Sequence, residues 1–363
     1  MNFVIVDDQT IRNELLAVFE TETGIALLEG DARRIFLEQF AVPLVAQYNA
    51  INSAGKQNLL QYAYGGYLDA IGARWGDLGV RLPAQKATVT LLFTLSAIQS
   101  FDVIIQKGTR ATTADNSLFF SIIEDLTISV GATTGSVTAE AMEGGEGSNG
   151  FAPGLVNRIV DPIAYVASVS NTSTSVGGAD IETDDNYRAR LIIVSSAPST
   201  AGSIESYTFW ALKTDSTIAD ISVTSPSAGA VTVTALLAGG LEPNIAMLTR
   251  IRNMLEPYRP LTDSLTVQAP GEVVYTIGFT YYINTADSSQ VATIQAAITT
   301  AVNDYIVWQY AKLGRDINPD ELRKRVLVAG ASRMTITTPT LATVALNQYA
   351  RNTTVALVYG GLD

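Results

Sequence analysis

The sequence of 363 residues predicts an α+β, multidomain fold: an N-terminal helical region, a small antiparallel β domain, and C-terminal mixed α/β (ferredoxin-like) domains. Three observations lead to this prediction. Apolar residues make up 47% of a chain that is longer than one core usually organises. The apolar period is helical up to about Trp75 and becomes two from Ala87 onward. After Asp184, helical and strand patterns mix, which is typical of α+β units.

Helical patterns cover the first 86 residues. A first helix is expected between Asp7, the first of three candidate caps with Asp8 and Thr10, and Gly24. Its apolar stripe consists of Ile11, Leu15, Val18 and Phe19. A second helix opens at Gly30-Asp31 and is expected to kink at Pro43; its stripe consists of Ile35, Phe36, Phe40, Leu44, Tyr48 and Ile51. Shorter helices are predicted over Gln57–Tyr64 and Tyr67–Trp75. These stripes either cover a core of their own or are buried against other chains.

A glycine pattern follows the first strands of the β domain. The spacing G-x-G-x-x-G, which cradles a pyrophosphate in dinucleotide-binding folds, is formed by Gly145, Gly147 and Gly150. Such a site needs a helix that opens at the third glycine, and the residues that follow here are F-A-P-G. Glu143 and Glu146 would also repel phosphate. We therefore predict a flexible hinge between strands, and no cofactor.

Residues 176–190, V-G-G-A-D-I-E-T-D-D-N-Y-R-A-R, contain four acidic side chains that resemble a calcium loop. An EF-hand counted from the first acid needs Gly at the sixth position and Glu at the twelfth, where this chain has Asp and Leu. The pattern favours a helix capped by Thr183 or Asp184, with an arginine paired back to an acid. This predicted structural turn comprises Asp180, Glu182, Arg188 and Arg190. No metal is expected, although calcium also accepts irregular oxygen cages.

Beyond residue 200, two related α+β units are predicted. The first consists of a helix, two strands, a helix with Pro243 in its first turn, and a strand. The second consists of a strand, the helices Ser289–Tyr310 and Pro319–Val328, and a strand with the sequence R-M-T-I-T-T. The shared order suggests a loose duplication.

The composition excludes several classes of function. The chain has no cysteine and no histidine, so it lacks thiolate nucleophiles, Cys/His zinc sites, disulfides and the usual general base near neutral pH. A net charge of −12 without basic clusters argues against nucleic-acid binding. No apolar run is long enough for a membrane span, and the start, M-N-F-V-I-V-D-D, is unlike a signal peptide, so we expect folding in a cytoplasm.

A series of segments runs along nearly the whole chain in a characteristic order: T-G-I-A-L-L-E-G-D-A-R-R-I-F-L-E-Q-F-A, Y-L-D-A-I-G-A-R-W-G-D-L-G-V-R-L-P-A-Q-K-A at residues 67–87, K-G-T-R-A-T-T-A-D-N-S-L-F-F at 107–120, G-E-G-S-N-G at 145–150, the acidic turn at 176–190, S-Y-T-F-W-A and Y-R-P-L-T-D. Taken together they resemble the baseplate J-like family, the wedge proteins of contractile phage tails and related particles. The acidic turn is the most specific of them.

This resemblance implies a structural role in the virion, with no catalytic residue. Two copies of the chain would join a smaller protein, similar to tail protein I, in each wedge, and six wedges would close around the hub. The other implied partners are a tail-lysozyme-like wedge protein that initiates the sheath, and hub and sheath neighbours. The resemblance also implies that the N-terminal helices enter a bundle with partner chains, that the C-terminal domains link wedges into a ring, and that the glycine hinge and the acidic turn loosen domain joins on contraction.

The domain boundaries that follow are 1–86 for the N-terminal helical arm, 87–200 for the β-rich central domain, 201–270 for the first α+β domain and 271–363 for the second, ring-forming one. Two other functions are alternatives to this role. A glycan-binding adhesin or attachment module would show aromatics along concave β loops, and aromatics are scattered at 8%. A cell-wall glycosidase would need two carboxylates within about ten ångströms in a cleft.

Overall fold

The computed structural model describes residues 1–199 and 201–363 and divides the chain into the units Met1–Arg81 and Leu82–Asp363. The predicted fold class is confirmed, with a helical N-terminal unit, an antiparallel β domain and C-terminal mixed α/β domains. Each C-terminal sheet has three strands, one fewer than the ferredoxin-like β-α-β-β-α-β order would give. Within the described ranges, no helix has the length and apolar content that crossing a membrane requires.

The N-terminal unit consists of α1 (Asp8–Thr23), α2 (Ala32–Gln57), α3 (Gly65–Gly72) and a 3₁₀ helix, Ala73–Leu78. Asp7 caps α1 by accepting the N–H of Thr10 at 2.8 Å, and Gly24 ends α1 with a φ of 68°. The prediction of a helix over Gln57–Tyr64 is wrong. Residues 58–64 form turns instead, because the side-chain oxygen of Gln57 accepts the N–H of Tyr64 and closes the chain back.

Helices α1 and α2 pack against each other. Ile11 on α1 and Ala41 on α2 are buried, and the Arg12 guanidinium donates to the backbone oxygen of Glu38 at 3.1 Å. Near the end of α2, the buried Asn52 side chain accepts the N–H groups of Phe3 and Val4. This hairpin therefore uses one face of α2 and leaves the other uncovered by α1.

The β domain contains β1 (Thr88–Leu95), β2 (Val103–Ile105), β3 (Arg110–Thr113), β4 (Phe119–Ile122), β5 (Leu126–Ile128), β6 (Thr134–Ala141), β7 (Val156–Ile159) and β8 (Val166–Asn171). Six of them form an antiparallel sheet in the order β7-β3-β4-β6-β1-β8, and β2 pairs with β5. The two edge strands lie side by side, where the Asn171 side chain accepts the N–H of Val156, so the sheet is nearly closed. Alternate residues, among them Leu91, Phe93 and Phe120, fill its interior.

The remaining elements are α4 (Asp184–Ile192), α5 (Ile204–Leu212), β9 (Ile218–Ser227), β10 (Ala230–Leu237), α6 (Ile245–Leu255), β11 (Ser264–Gln268), β12 (Gly271–Ile283), α7 (Val291–Tyr310), α8 (Pro319–Val328), β13 (Arg333–Thr338) and β14 (Gln348–Leu362). They form two three-stranded sheets, β11-β10-β9 and β13-β12-β14. The predicted duplication is wrong in topology, because the central strand is the second strand of the first unit but the first strand of the second unit. Pro243 precedes the cap Asn244, so it lies outside α6.

The two C-terminal domains are joined by Asp220 on β9, which accepts the N–H of Leu313 at 2.8 Å. Burial raises the pKa of this carboxyl, and Lys312 and Arg315 offset the rise only in part. The folded chain therefore binds a proton at a higher pH than the unfolded chain, whose aspartates titrate near about 3.9.

Wild type is expected to gain stability relative to Asp220→Asn as the pH falls through the raised pKa toward about 3.9, because protonation relieves the buried charge. Urea unfolding of both proteins at several pH values between 7 and 4 measures this difference. If the difference in free energy of unfolding between the two proteins stays constant with pH, or if the variant gains stability relative to wild type on acidification, the pKa of Asp220 is not raised by folding.

Candidate functional site

The four residues of the predicted α1 interface lie in different environments. Ile11 is buried inside the chain, Leu15 and Phe19 are half-buried, and Val18 is 62% exposed. An interface made by all four stays a prediction. Ile11 contributes to the α1–α2 hairpin itself, so Val18 is the one of the four side chains that is largely exposed.

A larger apolar surface lies on α2. Phe36 is 67% exposed and Phe40 is 50% exposed, and their rings stack with centroids 6.3 Å apart. Ile51 continues the same helical face and is also exposed. We call Phe36, Phe40 and Ile51 the α2 face. Its members appear in the sequence as one apolar stripe, but the stripe does not tell which of its residues are covered by α1.

The α2 face is also uncharged. Glu38 is the single charged residue between Ile35 and Ile51, and it pairs with Arg34 at 2.9 Å on the opposite side of the helix. Exposed, contiguous aromatic and aliphatic side chains without charge are the composition of a protein interface core, where Phe contributes large buried area. The chemistry of this surface therefore favours another apolar surface over a charged one.

The glycine segment and the acidic turn are brought together. The backbone N–H of Gly145 donates to the Gln85 oxygen at 3.0 Å, and the N–H of Glu146 donates to Asp180 Oδ1 at 2.9 Å. Asn149 and Gly178 exchange two hydrogen bonds of 2.7 and 2.8 Å. A 3₁₀ turn at Glu146–Ser148 takes the place of the helix that a dinucleotide site requires. A hinge here stays a prediction, and any motion of it would break these bonds.

Gly145→Ala is expected to destabilise the chain by roughly 1–3 kcal/mol, because Gly145 has a φ of 139° and an added Cβ would lie 3.0 Å from Asp180 Oδ1. Gly147→Ala is the matched control: its Cβ would meet nothing within 4 Å, so we expect a change below about 0.5 kcal/mol. Urea unfolding measures both. Equal effects of the two substitutions would show that this turn does not depend on the backbone of Gly145.

The acidic turn is built around a buried ion pair. Arg190 donates to both carboxylate oxygens of Glu182 at 2.9 and 2.6 Å, and the two side chains are 0% and 3% exposed. Thr183 caps α4 by accepting the N–H of Asn186, and Glu182 also accepts the N–H of Leu82 at 3.0 Å. These bonds hold the start of α4 against the chain that enters the β domain.

The other members of the turn have separate partners. Arg188 pairs with the exposed Asp185 at 2.7 Å, and Asp180 accepts the N–H of Glu146. In the ranges that the structure describes, no three acidic side chains are grouped so that they could hold a metal ion. The arrangement is that of a structural joint between strands and helix.

A cavity of about 250 Å³ lies beside this joint, with Glu146, Asp215 and Glu242 among its lining residues. Asp215 is buried and is paired with Arg250 at 2.9 Å. No aromatic side chain is among the described residues of its wall, so the cavity lacks the stacking surface that sugar-binding clefts use. The described part of this wall therefore offers no aromatic platform for a glycan.

Three models of the baseplate J-like protein match the chain in order: the barrel domain at residues 90–178, the central domain at 199–269 and the C-terminal domain at 277–358. Baseplate protein J of Escherichia phage P2 is 35% identical over 191 residues, which cover 51% of this chain and 62% of that protein. The match thus spans less than two thirds of that relative's length.

Among solved structures, a chain of the six-fold symmetrised cryo-EM structure of the anti-feeding prophage baseplate is similar to this chain. It is 13% identical with a TM-score of 0.46, and the match covers 93% of this chain and 90% of that chain.

Proposed function

Because the chain belongs to the baseplate J-like protein family, we propose that it is a structural, non-enzymatic component of a contractile tail baseplate. The observation that carries the proposal is the α2 face, an uncharged aromatic surface that the chain does not cover itself. A scaffold protein needs such a surface for its neighbours, whereas an enzyme needs a cleft with placed reactive groups.

In the proposed wedge, two copies of the chain join a smaller protein similar to tail protein I. The α2 face of each copy is buried against helices of these partners, which stabilises the bundle by removing Phe36 and Phe40 from water. A tail-lysozyme-like wedge protein and the hub and sheath neighbours contact the same particle in the virion.

The C-terminal domain, residues 271–363, links each wedge to the next and so closes a ring around the hub. The joint formed by the glycine segment and the acidic turn lies between the β domain and α4, where a change of domain orientation on sheath contraction would be transmitted. Identical chains in two positions of one wedge need such joints, because one rigid form cannot fit both environments.

Co-expression with the products of the neighbouring tail genes tests the proposal. We expect a stable complex that contains two copies of this chain and one smaller partner, identified by its native mass. A chain that remains free of every tail protein offered, at micromolar concentration and low salt, would refute the scaffold role.

A further inference from the structure

We infer that the outer edge of β14 pairs with the same edge of a second copy of this chain, antiparallel and about a two-fold axis. The inference rests on the proposed function and names the surface by which the C-terminal domain would link two copies. Pairing at a free strand edge uses backbone hydrogen bonds that neither chain can make alone.

The edge of β14 is long and unprotected. The strand runs from Gln348 to Leu362 and pairs on one side only, in parallel with β12. From Asn352 to Leu362 it contains no charged residue and no proline, and between Thr353 and Gly360 every side chain except the half-buried Leu357 is exposed. A row of unsatisfied backbone groups beside uncharged, β-prone side chains is a template for another strand.

The other edge strands of the two C-terminal sheets are protected. On the far side of the same sheet, β13 has six residues, begins at Arg333 and is followed by Pro339. In the neighbouring sheet, β9 carries Asp220 and Pro226, and β11 is five residues long. Charge, proline and shortness are the usual means of blocking edge pairing, and the stretch of β14 from Asn352 to Leu362 has none of them.

The distribution of charge at the two ends of β14 favours a second copy as the partner. Arg351 and Asp363 each lie six positions from Leu357, so an antiparallel pair centred on Leu357 places Arg351 of one copy opposite Asp363 of the other. Both side chains are partly exposed, with Arg351 paired to Glu272 at 2.7 Å and Asp363 to Arg333 at 2.6 Å. Two-fold pairing would join these ion pairs into one network at each end.

The two register shifts of β14 are also placed symmetrically about Leu357. The register of β14 against β12 shifts at Thr353 and again at Gly360-Gly361, on either side of the regular stretch Thr354–Tyr359. In a pair centred on Leu357, the first shift of one copy faces the second shift of the other. Val355 and Tyr359, which the helices of the domain leave 43% and 36% exposed, would gain cover from the added strand.

Sedimentation of the full chain tests the inference. We expect a concentration-dependent dimer that Val358→Lys weakens at least tenfold, because it places two like charges near the axis, while Thr335→Lys on the exposed part of β13 leaves it unchanged. Arg351→Glu and Asp363→Arg should each weaken the dimer. The double variant should weaken it less than either single variant, but not restore it fully, because Glu272 and Arg333 then each face a like charge in their own chain. Circular dichroism of each variant confirms that it is folded.

Cross-linking tests the register, since the chain has no cysteine of its own. A short bis-maleimide should join Leu357→Cys to itself more efficiently than Val355→Cys or Tyr359→Cys, and should not join Thr335→Cys. A monomer at every concentration, equal cross-linking of Leu357→Cys and Thr335→Cys, or an edge occupied only by a strand of another tail protein would overturn the inference. The Val358→Lys variant should still form the complex with the tail partners. If wild type forms no such complex, the proposed function fails. If the chain forms that complex but never dimerises through β14, only the present inference fails.

Discussion

Replacing Arg190 with methionine is expected to lower the free energy of unfolding by about 3–5 kcal/mol. The substitution keeps most of the side-chain volume but leaves the Glu182 carboxylate buried without the guanidinium that holds both of its oxygens. The guanidinium also lies 5.3 Å from the Tyr187 ring centroid and 6.0 Å from that of Phe209, so contacts with two aromatic rings are lost as well. Urea unfolding followed by circular dichroism measures the change.

The matched control for this prediction is Arg323→Met on α8. Arg323 pairs with Asp320 in the open, and exposed pairs of this kind contribute about 0–1 kcal/mol. The double variant Glu182→Met/Arg190→Met should lose less stability than Arg190→Met alone, because no single charge is then left buried. If Arg190→Met and Arg323→Met cost the same, the pair does not hold the joint.

Phe36→Asp and Phe40→Asp are each expected to weaken binding to the wedge partners by at least about 100-fold, which corresponds to roughly 3 kcal/mol. Both rings are exposed in the free chain and become buried in the proposed complex, so a carboxylate at either position would be desolvated without a partner. Titration of labelled chain with the smaller partner measures the affinity.

Two results distinguish loss of binding from loss of folding. The melting temperature of the free variants should stay close to that of wild type, because neither ring contributes to the buried core of the N-terminal unit. Ile245→Asp, at a residue of α6 that is 83% exposed, should bind like wild type. Unchanged affinity of the Phe36 and Phe40 variants would place the interface elsewhere.

Local signals predicted much of the secondary structure. Helix α8 was expected over Pro319–Val328 and is found there, because Asn318 caps it, Pro319 suits its first turn and Asp320 lies near its positive end. The cap at Thr183 is likewise confirmed. Such signals act within one turn of helix, so they can be read without knowledge of the tertiary fold.

Features that depend on contacts between distant residues were missed. The strand β14 pairs in parallel with β12, whose residues precede it by more than seventy positions, and nothing in its local sequence specifies that partner. The hydrogen bond from Glu146 to Asp180 joins two segments that the sequence presents as separate motifs. The position of α1 decides which side of the α2 stripe is covered. The apolar period of α2 alone does not show that position.

In the assembled baseplate, we expect other chains to cover the α2 face. Gln47 is exposed on that face, seven residues after Phe40 and four before Ile51, and the chain has no native cysteine. The direct measurement is therefore the rate at which a maleimide modifies Gln47→Cys in the free chain and in the complex with the neighbouring tail proteins. We expect rapid modification of the free chain and strong protection in the complex, whereas equal rates in both would show that the α2 face is not buried there.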